Sequence, residues 1–156
     1  MTQKIATREA YGKALAELAA NDERIYVFDA DLSGATKTAV FKKAFPKRHF
    51  NAGLAEVNMV GMAAGFAACG KIPFASTFAV FGTGRAYDVV RNNVCYPKLN
   101  VKLACTHAGL TVGEDGATHQ SLEDIALMNE LPNMTVMCPA DAVETKMVLE
   151  EAIKHD

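Results

Sequence analysis

Apolar positions along this chain switch repeatedly between helical and strand-like spacing. In "REAYGKALAELAAND", Ala10, Ala14, Leu15 and Leu18 repeat at helical intervals, with Thr7 as the expected N-cap. "RIYVFDAD" is a short β-rich run ending in two acids, the pattern of a buried strand whose carboxyl end meets something polar. "ATKTAVFKKAF" predicts a second helix stopped near Pro46, and "RHFNAG" a short strand. A nearly uncharged helix follows, from Glu56 through Cys69, and then "KIPFAST" as a third strand. "FGTGRAYDVVRNNVCYP" predicts a turn into a helix that Pro97 ends. "VKLACTHAG" reads as a fourth strand, "HQSLEDIALMNEL" as a helix, "MTVMCPAD" as a fifth strand and "AVETKMVLEEAIKHD" as a last helix. This alternation predicts an α/β fold of three layers, a mainly parallel sheet covered by helices on both faces.

Composition narrows the class without changing the fold. The chain has 156 residues, one domain's worth, and half of them are hydrophobic. A net charge of −2 gives no electrostatic footprint for nucleic acid. The N-terminal stretch carries charges throughout, without the apolar core of a signal peptide. The longest uncharged run, Val57 to Gly70, is too short to span a bilayer. The cysteines, Cys69, Cys95, Cys105 and Cys138, form no CxxC pair. Buried thiols in a reducing cytoplasm are therefore expected rather than disulfides or zinc.

Ligands of parallel α/β sheets bind beyond the carboxyl ends of the strands. The loops expected there hold Asp29, Asp31, Glu56, His107, Glu114, Asp115 and His119. "FGTGRAY" resembles a dinucleotide turn only in part, since Tyr87 stands in place of the third glycine, and a plain strand-to-helix turn is favoured. No P-loop lysine pattern is present. His107, Asp115 and His119 match no zinc spacing, so a hydrogen-bonding cluster for a polar ligand is favoured over a metal site or a mere surface turn. Glu56 has two readings: a first-turn acid satisfying the helix dipole, or a functional carboxylate that needs a partner. Phe78 and Phe81 are equally compatible with core aromatics and with a stacking surface for a flat ring.

Taken together, "NAGLAEVNMVGMAAGFAACGKIPFASTFAVF" and "THAGLTVGEDGATHQSLEDIALMNELPNMTVMCPAD" resemble the pyrimidine-binding domain of transketolase, a thiamine-diphosphate enzyme. The resemblance covers nearly the whole chain, from "ATREAYGKAL" to "MCPADAVE". The short start ahead of the domain is similar to the C-terminal subunit of a split, two-gene transketolase. Deoxyxylulose-phosphate synthase and the beta subunits of 2-oxoacid dehydrogenases share the domain and its glutamate but fit the middle loop less well. A non-catalytic α/β interaction module is the alternative from another class.

The resemblance implies a flavodoxin-like sheet and transfer of a two-carbon ketol unit between sugar phosphates. It places Glu56 against N1′ of the cofactor's aminopyrimidine, with Phe81, and Phe78 beside it, stacked on the ring. Asp31 would lie near the cofactor or donor sugar. His107, Asp115 and His119 would hydrogen-bond sugar hydroxyls, the two histidines counting as catalytic, and Arg8 would help bind the sugar's phosphate. The diphosphate and its magnesium would belong to a partner N-terminal subunit, because no GDG-plus-asparagine motif of that kind occurs here. A homodimer of this domain is expected, with the helix from Val57 to Gly70 near the axis. The chain departs from the family pattern at Val57, where a glutamine is usual, and in "DLSGAT". Its end at "EEAIKHD" implies a fragment, residues 1–156, lacking a final strand and a C-terminal domain.

Overall fold

The computed structural model describes residues 4–156. Strands β1 (Ile25–Asp29), β2 (His49–Asn51), β3 (Ile72–Phe78) and β4 (Lys102–Thr106) form one sheet. All neighbours are parallel, in the spatial order β2-β1-β3-β4. The central strand β3 is buried at all seven positions, which explains its unbroken "IPFASTF" in place of an alternating pattern.

Side-chain alternation divides the core between the two faces of the sheet. Val27 and Phe74 face one side. There they pack with Tyr11 and Leu15 of α1 (Thr7–Ala19), Phe41 of α3 (Ala39–Ala44) and Leu149 of α7 (Ala142–Lys154). Phe28 and Ala75 face the other side, against Met59 and Val60 of α4 (Glu56–Ala68) and Met128 of α6 (Asp124–Asn129). The expected three layers are present.

Several local expectations are corrected. Thr7 lies inside α1 rather than capping it; Ala6 takes the cap position and contributes no side-chain bond. The helix expected over "ATKTAVFKKAF" is two pieces, α2 (Ser33–Thr36) and α3, separated at Lys37 with φ of 68°. Buried polar bonds account for the break. Thr36 and Thr38 both donate to the Asp29 carboxylate, at 3.2 and 2.5 Å, and His49 Nε2 lies 2.6 Å from the same group. Residues two apart do not share a face of an unbroken helix, so the chain must kink to deliver both hydroxyls. Gly12 permits the kink, because a Cβ there would collide with the Lys37 carbonyl oxygen.

The helix expected before Pro97 is also modified. Wide π-helical turns, Val80–Arg85 and Val90–Cys95, flank the short α5 (Tyr87–Val89). Gly82 sits where an added Cβ would come 2.6 Å from Cys105 Sγ and 3.1 Å from Thr77 Cγ2. That glycine serves close packing of the turn on β3 and β4, in keeping with a plain strand-to-helix turn. The helix expected over "HQSLEDIALMNEL" is confined to α6.

The fifth strand does not form. Met134–Pro139 has no ladder bonds, so β4 remains an edge strand. Asn133 turns the chain with φ of 67° and donates from Nδ2 to the Cys95 carbonyl at 3.1 Å, tying the segment's start to the helical layer. Pro139 has no N–H to offer a ladder. Between this segment, β4 and α7 lies a cavity of about 960 Å³, walled by Leu103, Met128 and Leu149. The thiol expectation is also only partly met. All four cysteines are free, but Cys95 alone is buried; Cys69 and Cys138 are exposed, at the end of α4 and in the unladdered segment. Among the described residues, no helix is long and apolar enough to cross a membrane.

Candidate active site

The carboxyl ends of β3 and β4 bring four aromatic or imidazole rings together. Phe78 ends β3 and is stacked 4.1 Å from His107, which follows β4 directly with φ of 58°. Phe81, on the first π-helical turn, lies nearly parallel to Phe78 at 6.1 Å. His119 stands edge-on to Phe81 at 5.2 Å and to Phe78 at 6.2 Å. Arg8 reaches in from the first turn of α1, its Nη1 2.6 Å from His107 Nε2. Thr106 Oγ1 lies 2.8 Å from the other ring nitrogen, Nδ1.

These contacts decide the histidine's chemistry. A guanidinium only donates, so Nε2 must accept and Nδ1 must carry the hydrogen, which it gives to Thr106 Oγ1. Burial, reinforced by the Arg8 charge, holds the His107 pKa below its ordinary value, against an opposing pull from Asp115. The contacts with Arg8 and Thr106 thus favour the neutral imidazole with its hydrogen on Nδ1.

Glu56 opens α4 with its side chain 2 % exposed. Its Oε2 accepts from Arg85 Nη1 at 2.9 Å, while the Arg85 side chain is 55 % exposed. The same guanidinium lies 4.6 Å above the Phe81 ring. Glu56 and Arg85 line a cavity of about 480 Å³ with Leu54, Val57 and Asn58. A buried carboxylate and a partly open aromatic face thus both lie within reach of the Arg85 side chain. This fits a flat heteroaromatic ring with a nitrogen that can share a proton with Glu56.

Not every expected site residue joins this cluster. Asp31 is exposed, with φ of 62°, and exchanges hydrogen bonds with Asn51: its N–H donates to Oδ1 at 3.0 Å and its Oδ1 accepts from Nδ2 at 3.1 Å. Asp115 is exposed and reaches His107 only through its charge. Phe78 is covered by His107 and buried, so the more accessible ring is Phe81. Among the described residues, no group of three His, Cys, Asp or Glu side chains could hold a metal ion.

Sequence reasoning missed Arg85, Asn51 and the Thr36–Thr38–His49 set around Asp29. Arg85 had a signal, since an uncharged run containing one carboxylate calls for a cation from elsewhere in the fold. The others had none, because two threonines and a histidine on separate segments show no periodic pattern.

Residues 3–156 match the family described as the transketolase pyrimidine-binding domain. This chain belongs to that family. It is 59 % identical over 148 residues to a protein of Methanocaldococcus jannaschii named as a transketolase C-terminal section, covering 95 % of this chain and 47 % of that one. It is 40 % identical over 149 residues to a 6-deoxy-6-sulfo-D-fructose transketolase subunit of a Clostridium species, covering 96 % of this chain and 46 % of the relative. Among solved structures, it superposes on a split-gene transketolase described as an inactive beta4 tetramer, with a TM-score of 0.86 and 58 % identity. That match covers 97 % of this chain and 49 % of the other. The chain thus spans about half the length of these relatives. In this transketolase pyrimidine-binding domain, Glu56 opens α4 and Phe81 lies on the turn that follows β3.

Proposed function

We propose that this chain is the pyrimidine-binding half of a transketolase, active only when paired with a subunit that holds the diphosphate and magnesium of thiamine diphosphate. The observation that carries the reading is a carboxylate 2 % exposed at the head of α4, beside a partly accessible Phe81. Thiamine diphosphate, when bound, supplies the reactive carbon on which a two-carbon ketol unit travels between sugar phosphates. Glu56 holds a proton at the ring nitrogen N1′, and Phe81 offers its face to the pyrimidine. His107 and His119 serve as hydrogen-bonding groups for sugar hydroxyls. Arg8 keeps His107 neutral and adds positive charge where a sugar phosphate approaches. Asp31 lies near the cofactor or donor sugar, and Asp115 hydrogen-bonds sugar hydroxyls.

The exposed face of α4 supports a homodimer. Val57, Gly65 and Ala68 are exposed there, while Met59, Val60 and Ala63 are buried on the opposite side. A small-residue face of this kind lets a second copy approach closely about a two-fold axis. The four free thiols suit a reducing cytoplasm.

The test is co-expression with a diphosphate-binding transketolase subunit, followed by an assay of ketol transfer. Activity in the pair and none in either chain alone is expected. Ketol transfer by this chain alone, or none from any such pairing, would refute the reading.

A further inference from the structure

We propose that Arg85 is a displaceable latch on the pyrimidine subsite, occupying Glu56 and Phe81 together until a flat heteroaromatic ring takes its place. The inference rests on the pyrimidine-binding reading of that site.

The geometry is that of competition for one space. Arg85 Nη1 is 2.9 Å from Glu56 Oε2, and the centre of the guanidinium is 4.6 Å from the Phe81 centroid. A ring stacked on the face of Phe81 that Arg85 covers needs a centroid separation of about 4.5–7 Å, so it claims the volume the guanidinium fills. A ring nitrogen that bonds Glu56 Oε2 needs the oxygen that Nη1 already uses. A ring that makes both contacts therefore displaces the guanidinium.

Burial says which partner moves. Glu56 is enclosed at the first position of α4, whereas the Arg85 side chain is 55 % exposed at the end of the Val80–Arg85 turn. A cation with an open path to water leaves at little cost once another group satisfies the carboxyl. Until then it keeps a buried charge from standing alone. A purely structural counter-ion would instead remain in place when the ring binds.

The test uses the isolated chain and a neutral probe, 4-amino-5-hydroxymethyl-2-methylpyrimidine. Arg85→Met removes the donor and the charge but keeps a stem of similar length. Relative to wild type, Arg85→Met should bind the probe about tenfold more tightly, the change expected if the latch stands open about a tenth of the time. It should also melt several degrees lower, and saturating probe should restore more of the melting temperature than it adds to wild type. In wild type, the Arg85 Nε–H signal in a nitrogen-15 spectrum should move toward that of a free guanidinium as probe is added. That measurement does not depend on the variant folding.

Unchanged or weaker probe binding by Arg85→Met, with an Arg85 signal that does not respond, would overturn the latch. If binding is then still abolished by Phe81→Ala, the pyrimidine site survives and only the latch fails. If the probe binds neither wild type nor variant, or binds regardless of Phe81→Ala, the pyrimidine reading falls and takes the latch with it.

Discussion

The 2.6 Å contact between Arg8 Nη1 and His107 Nε2 joins the first turn of the first helix to the end of the last strand. It makes the imidazole an acceptor toward the site's cation and sets its tautomer through Thr106. A pH dependence follows from it.

Because His107 has its pKa lowered by burial and by Arg8, the folded state disfavours the imidazolium. Its contribution to stability is complete above the ordinary histidine pKa, about 6.5. That contribution is lost as the pH falls from there toward the lower folded value, where the unfolded chain takes up a proton first. Arg8→Gln should raise the His107 titration midpoint, read from its ring-proton shifts. A midpoint identical in the variant would show that the guanidinium does not act on the ring.

The Asp29–His49 pair is enclosed, with side chains 0 % and 1 % exposed, and two threonine hydroxyls complete it. Removing the Asp29 carboxylate leaves the buried Thr36, Thr38 and His49 groups without their partner. Asp29→Ala should cost about 3–5 kcal/mol in urea denaturation, given about 1–3 kcal/mol for each buried polar group left unsatisfied. Thr38→Val, which deletes one hydrogen bond to the carboxylate, should cost about 1.5–3 kcal/mol. Losses under 1 kcal/mol in both would mean that water replaces these bonds freely.

Gly82 and Gly12 make a contrasting pair. Gly82→Ala brings a methyl group against Cys105 Sγ and should destabilise by about 1–3 kcal/mol. Cys105→Ala in the same chain should recover much of that loss, since a side chain is the obstacle. Gly12→Ala meets the Lys37 carbonyl, a backbone atom, so no side-chain truncation should relieve it. Thermal melts of the single and double variants separate the two cases. Equal rescue at both positions would contradict this account.

The four thiols should divide by rate toward a disulfide reagent at neutral pH. Cys69 and Cys138 are exposed and should react within minutes. Burial raises the pKa of Cys95 and, although Cys105 keeps some exposure, pushes the Cys105 thiol up to about 12, so both should react far more slowly than the exposed pair. Four fast thiols in the native chain would show that the region around β4 opens readily.

Glu56→Gln, assayed in the reconstituted pair, should lower turnover by about a hundredfold or more, the scale of a lost acid–base group. Fold and self-association should be retained. Near-normal turnover together with a lower melting temperature would assign Glu56 to the helix terminus alone.

The amino-acid sequence by itself determined the parallel α/β order, because its periods alternate and a strand buried on both faces must be apolar throughout. It also directed attention to the carboxyl edge, where Glu56, His107 and His119 stand among otherwise apolar or glycine-rich runs. The resemblance to transketolase was legible for the same reason, since those residues lie in long contiguous motifs. Only the tertiary structure decided who partners whom. Arg85 is 29 residues from Glu56, Arg8 is 99 from His107, and His49 is 20 from Asp29. Such bonds depend on where segments cross, and no local spacing encodes a crossing. The same reason explains the broken helix at Lys37, where propensity favours a regular element but a buried carboxylate demanding two hydroxyls outweighs it.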